Sequence, residues 1–292
     1  MFKIVIIALL WATSSFGSHC TVAASTIERQ GQKNADALVF IPGLASHGDL
    51  WTRWAEQHAV NYNVYIVTAS GFAGEPAKLA QTPFLQSTVA DIAQRLRADN
   101  IEGATIVGHS IGGLMALMLA KEAPELVTKV LVVDSLPYLA GMFMPGIKPD
   151  QAREQANMIA GQLKSMSRDL FLAQQKQGLS RLSNTAEFLP TLIKWSEDSH
   201  QTTVAVAMGE ALATDYRSAL ATVEASITVL AAYSKAMQVP KAQIKALYAA
   251  QYAAAQNVDI QLVDDSYHFI MIDQPDQFSH YLSAVLGQGE TK

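Results

Sequence analysis

Ser110 is the residue around which chemistry can be built. It sits in Val107-Gly108-His109-Ser110-Ile111-Gly112-Gly113, between an apolar run at 104–107 and a run of helix formers at 114–122. A Gly-x-Ser-x-Gly turn between strand and helix projects the serine hydroxyl above a sheet edge on a strained backbone. Side chains two places before and after the serine would collide where strand and helix pass, which accounts for Gly108 and Gly112. The amides opening the helix point toward the hydroxyl and favour negative charge there. The chemistry is nucleophilic attack on an acyl carbon.

A serine hydroxyl attacks only when a base takes its proton. His268 is the candidate, in the loop Asp264-Asp265-Ser266-Tyr267-His268-Phe269 after an apolar run at 258–263. In a parallel sheet that loop emerges on the same edge as Ser110. His47 lies in an earlier loop, and His58, His200 and His280 fall within or beside helical patterns. His109, next to the serine, is expected to point away. A tetrahedral intermediate also needs two donors at its oxyanion. The amide of Ile111 directly follows the nucleophile. The second is assigned to the amide of Leu44, in the tight loop after Pro42-Gly43.

These groups need strands and helices to hold them. Apolar runs at 37–41, 63–68, 104–107 and 129–133 read as strands, separated by helical patterns at 51–59, 84–98 and 111–123. Such alternation predicts a parallel sheet covered on both faces. From 137 to 213 the alternation stops, and helical patterns at 150–166, 168–177 and 186–195 read as an inserted helical cap. Strands resume at 227–231 and 258–263, with helices at 240–256 and 276–286. The expected division is a core of 25–136 and 214–292 and a cap of 137–213. Met142, Phe143, Met144, Met158, Met166 and Met208 are the cap side chains expected to furnish a flexible apolar pocket.

The chain has 292 residues, 50% hydrophobic and 16% charged, with a net charge of -5. That suits one large α/β domain. The absence of a basic stripe argues against a nucleic-acid partner, and no His/Glu spacing suits a zinc site. Lys3, the short apolar run at 4–12 and Val22-Ala23-Ala24 read as a bacterial-type signal peptide, with cleavage expected after Ala24. An uncleaved anchor is the alternative. His19 and Gly17 before Cys20 argue against a lipoprotein, and the processed chain would contain no cysteine. The expected compartment is the periplasm or the medium.

Pro42-Gly43-Leu44, then Gly108-His109-Ser110-Ile111-Gly112-Gly113, then a helical insertion and a late loop histidine resemble the α/β-hydrolase superfamily over residues 35–287. The resemblance implies an eight-stranded, mostly parallel sheet, a lid inserted before the last two strands, and no metal or organic cofactor. It implies the order nucleophile, acid, histidine. The family's acid usually follows the strand read here as 227–231. In this chain that turn, Ala232-Tyr233-Ser234-Lys235-Ala236-Met237, has no carboxylate. Some members carry the acid one strand earlier, where Asp134 stands. Asp264 and Asp265 remain alternatives, and Asp215 is expected to order the cap junction. The activity implied is ester hydrolysis through an acyl-enzyme on a small-molecule substrate. Amide hydrolysis, acyl transfer and perhydrolysis would use the same parts. A non-catalytic binding protein on this fold is the competing reading, although such proteins usually lose the nucleophile or the base. Dehalogenase and epoxide hydrolase readings fail because they need an aspartate where Ser110 stands.

Overall fold

The computed structural model describes residues 24–77, 83–144 and 146–288. The expected leader lies outside the described residues, apart from Ala24. The chain opens with β1 (Thr26–Gly31), β2 (Ala37–Ile41), α1 (Thr52–His58) and β3 (Asn63–Thr68). Next come α2 (Phe84–Ala98), β4 (Ala104–His109), α3 (Ile111–Glu122) and β5 (Val127–Val133). The inserted helices are α4 (Ala140–Phe143), α5 (Pro149–Ser165), α6 (Arg168–Leu179), α7 (Leu189–Asp198) and α8 (Gln201–Ala213). β6 (Ser226–Tyr233), α9 (Lys241–Gln251), β7 (Val258–Asp264), α10 (Ile270–Asp273) and α11 (Pro275–Leu286) complete it.

The sheet order is β1-β3-β2-β4-β5-β6-β7, with only β1 antiparallel to its neighbour. Among the described residues this is seven strands, not the eight that the resemblance implies. A single strand, β1, precedes β2, and β7 forms the other edge. The helix expected over 240–256 is also shorter. It ends at Gln251, and the chain turns back so that the amide of Ile227 donates to the carbonyl of Asn257, at 2.8 Å.

Successive strand residues face opposite layers. Val39, Ile106, Val130, Val132 and Val229 pack under α2, α3 and α9. Leu38, Phe40, Val107, Leu131, Val133 and Leu230 pack against Trp51, Trp54 and Phe278 of the α1 and α11 layer. Burial on both faces is what parallel strands require.

Polar ties bind the inserted helices to this core. α2 begins after Pro83 with no capping side chain, so its first amides lack a local acceptor. Glu210 of α8 supplies one: its carboxylate accepts from the amides of Phe84 and Leu85, at 2.7 and 2.9 Å. A negative charge there also complements the helix dipole. At the other end of α8, the Ser199 hydroxyl accepts from the Ala73 amide at 2.8 Å. Asp215 pairs with Arg217, whose guanidinium lies 4.5 Å from the Tyr138 ring centroid. That joins the exit of the insertion to its entry.

Candidate active site

Ser110 lies between the last residue of β4 and the first of α3, with φ 55° and ψ -126°. A non-glycine residue in that region carries strain of order 1–3 kcal/mol, which its surroundings must hold. The Ser110 amide donates to Val133 at 3.0 Å, and its carbonyl accepts from Gly113 at 2.8 Å. The close approach expected of the glycines is present. A Cβ on Gly108 would lie 2.3 Å from the Gly112 carbonyl oxygen. One on Gly112 would lie 2.4 Å from the Ile41 oxygen, so α3, the Ser110 turn and β2 meet backbone to backbone.

Asp134 follows β5 directly and also has a positive φ, 47°. Its Oδ2 accepts from Nδ1 of His268 at 2.6 Å. A carboxylate only accepts, so Nδ1 carries a proton, and in the neutral imidazole the lone pair is on Nε2. Oδ1 accepts from the Ala232 amide at 2.9 Å and from the Tyr248 hydroxyl at 2.7 Å. Neither of the other two candidate carboxylates is the hydrogen-bond partner of Nδ1. Asp264 pairs with Lys241, at 2.5 and 2.6 Å. Asp265 is exposed in the loop, and its carbonyl accepts from Asn184 and Gln274.

The His268 loop is held at each step. Ser266 donates its amide to the Tyr233 carbonyl, and Phe269 donates to Leu182. The Tyr267 amide donates to Asp273, whose carboxylate also accepts from Ser183, Asn184 and Thr185. Asp273 thereby joins the inserted helices to the histidine loop. His109 does not point away as expected. Its Nε2 donates to the His268 carbonyl at 3.0 Å, and the two rings lie 4.5 Å apart. Burial, reinforced by the neighbouring imidazole, holds His109 well below the usual histidine range, so it stays neutral. A Cβ on Gly43 would sit 2.9 Å from His109 Nδ1 and 3.2 Å from Ser110 Cβ. The loop carrying Leu44 therefore lies directly against the Ser110 turn. Ile111 opens α3, where a first-turn amide has no acceptor within the helix.

Ser110, Ile111, Asp134, His268 and Leu44 all border one cavity of about 750 Å³. Its walls are mostly apolar and include Leu136, Leu139, Met142, Phe143, Met208 and Met237. Met144, Met158 and Met166 do not border it, contrary to expectation. Met144 packs on the Tyr138 cluster and Met166 on the main core, while Met158 points to solvent at 62% exposure. Among the described residues no three His, Cys, Asp or Glu side chains gather as a metal-ligand set.

Residues 38–280 match the alpha/beta hydrolase family. The chain belongs to that family. It is 26% identical over 267 residues to a pimeloyl-[acyl-carrier protein] methyl ester esterase of Aeromonas salmonicida, covering 90% of this chain and 99% of that protein. Two hydrolase structures share the fold. A thermophilic esterase from Thermogutta terrifontis has a TM-score of 0.72 at 15% identity, over 90% of this chain and 93% of the other. The enol-lactonase from Burkholderia xenovorans has a TM-score of 0.69 at 16% identity, over 90% and 96%. Within the family this chain departs from the usual pattern after β6. There the Ser234 hydroxyl accepts from the Ala236 amide, in a turn that offers no carboxylate. Tyr248, His109 and Asp273 support the site without a local sequence signal. Of the three, His109 alone lies inside a motif, as the variable residue of Gly-x-Ser.

Proposed function

We propose that this protein hydrolyses carboxylic esters through an acyl-enzyme on Ser110. The observation that carries the reading is the Asp134–His268 hydrogen bond of 2.6 Å on the same cavity as the strained Ser110 turn. Ser110 Oγ attacks the acyl carbon while Nε2 of His268 takes its proton. Asp134 keeps Nδ1 protonated and stabilises the imidazolium. The amides of Leu44 and Ile111 donate to the oxyanion. On collapse the C–O bond to the alcohol breaks and His268 returns the proton to the leaving oxygen. Water, deprotonated by the same nitrogen, then releases the acid and restores Ser110. The Aeromonas relative, an esterase by name, supports an ester over other acyl substrates.

A panel of p-nitrophenyl esters from C2 to C16 tests this. The mostly apolar walls predict that kcat/KM rises with chain length until the cavity is filled. Each buried methylene contributes at most about 0.8 kcal/mol, roughly fourfold. No hydrolysis across the panel would remove the esterase reading.

We also propose export with cleavage after Ala24. Ser25 is only 8% exposed, and its backbone nitrogen and hydroxyl both donate to Asp91 Oδ2, at 2.9 and 3.0 Å. Cleavage would turn that nitrogen into an ammonium and the hydrogen bond into an ion pair. Sequencing of the processed protein should begin at Ser25, and Met1 in the fractionated product would contradict export.

A further inference from the structure

Asp134 stands on a turn that β5 alone does not define. Its left-handed φ of 47° must be maintained by contacts from outside the strand. Two come from the backbone of β6: the Leu230 carbonyl accepts from the Asp134 amide at 2.8 Å, and the Ala232 amide donates to Oδ1. The other two come from α9 and the residue that caps it. Tyr248 donates its hydroxyl to Oδ1 at 2.7 Å, and Tyr252, one helical turn later, donates to the Ser135 carbonyl at 2.9 Å. Both tyrosines are buried, at 4% and 0% exposure. Residues four apart share a helix face, so one edge of α9 grips two consecutive residues of the acid's turn.

We propose that Tyr248 is a positioning residue for the reaction: its hydroxyl fixes the rotamer of Asp134 and neutralises part of its charge, and so sets how firmly His268 holds a proton. This rests on the reading of Asp134 as the acid. Oδ1 takes the tyrosine and the Ala232 amide, which leaves Oδ2 for the imidazole. The phenol is a permanent donor. Burial, with the charge of Asp134 beside it, pushes Tyr248 well above the usual tyrosine range, so it does not ionise near neutral pH. The same causes act on Tyr252. Among the described residues, the other titratable groups bordering the cavity are His109, kept neutral by burial, Tyr267 and Arg181.

Without its tyrosine donor, Asp134 presents more of its charge to the imidazolium and is free to turn. Tyr248→Phe is therefore expected to lower kcat about 10- to 100-fold, the range for one hydrogen bond to a buried charge. KM should stay within about threefold, and the acidic limb of the kcat/KM profile should move to higher pH. In an Asp134→Asn background the same phenylalanine should add less than about twofold, because the two changes act through one group. Site-specific 3-fluorotyrosine at 248 keeps the shape and strengthens the donor, so its acidic limb should move to lower pH. It also serves if Tyr248→Phe fails to fold. A kcat loss that persists undiminished in the Asp134→Asn background, a change in KM alone, or an acidic limb unmoved by 3-fluorotyrosine would overturn the proposal. Wild-type turnover in Asp134→Asn alone would instead remove the acid itself, and is read independently of Tyr248.

Discussion

Ser110→Ala is expected to abolish ester turnover and labelling by a fluorophosphonate probe while leaving the melting temperature within about 1 °C of wild type. The loss should be on the order of 10⁶ in kcat, as when the nucleophile of a serine triad is removed. The structure explains why folding should survive. The Ser110 side chain does not cap α3, and alanine adopts φ 55° at a cost similar to serine's. The ties that hold the turn are backbone bonds, to Val133 and from Gly113. Ser46 and Ser135 also border the cavity, but Ser46 Oγ donates to the Leu44 carbonyl and Ser135 is packed against Gly113. Full activity in Ser110→Ala would end the serine-hydrolase reading, whatever the panel of esters had shown.

What could be read in the sequence follows from burial. β2, β3, β4 and β5 are covered on both faces, so they appear as unbroken apolar runs. β1, Thr-Ile-Glu-Arg-Gln-Gly, is a half-exposed antiparallel edge strand with no apolar run or strict alternation to mark it. α8 escapes for the opposite reason. Its Val204, Ala205, Ala207, Ala211 and Leu212 are buried between α5 and α2, so no polar stripe gives it a period. The cap methionines show a third limit. Periodicity identifies a helix face, but not whether that face meets the cavity, the core or water. Met208 meets the first, Met166 the second and Met158 the third.

At the site, residue type and position along the sheet edge nominated Ser110 and His268, while Asp134 rested on the family resemblance and the missing carboxylate after β6, with Asp264 and Asp265 left open. The structure brings Asp134 and His268 into contact and sets all three on one cavity. The surrounding support is long-range and therefore silent in sequence. Tyr248 lies 114 residues from the carboxylate it contacts, and α9 as a whole carries only a generic helical pattern. Asp264 is set apart from Asp134 by contacts that are likewise long-range, its own with Lys241 across 23 residues and that of Asp134 with His268 across 134.

Asp134→Asn should reduce kcat by about 10³–10⁴ with little change in fold, and the hydrogen bonds at the site explain why the amide is worse than an inert replacement. Oδ1 of the native carboxylate is claimed by two donors, the Ala232 amide and the Tyr248 hydroxyl. In the variant those donors select the carbonyl oxygen of asparagine for that place. Its NH₂ group must then face His268 at the position where Oδ2 accepts today. Two donors cannot meet across 2.6 Å, so the imidazole gives up its Nδ1 proton and carries it on Nε2 instead. That nitrogen is the one that must accept from Ser110, and in this tautomer it has no lone pair to do so. The loss should therefore fall on kcat and kcat/KM alike, with KM for the ester nearly unchanged, because substrate binding does not use the carboxylate. Asp264→Asn is the matched control. It removes one exposed ion pair with Lys241, worth at most about 1 kcal/mol of stability, and should leave turnover within about twofold. If Asp264→Asn or Asp265→Asn produced the thousandfold loss and Asp134→Asn did not, the acid would have to be reassigned. If none of the three did, Ser110 and His268 would act as a dyad, and the 2.6 Å hydrogen bond to Asp134 would be a structural tie of the histidine loop.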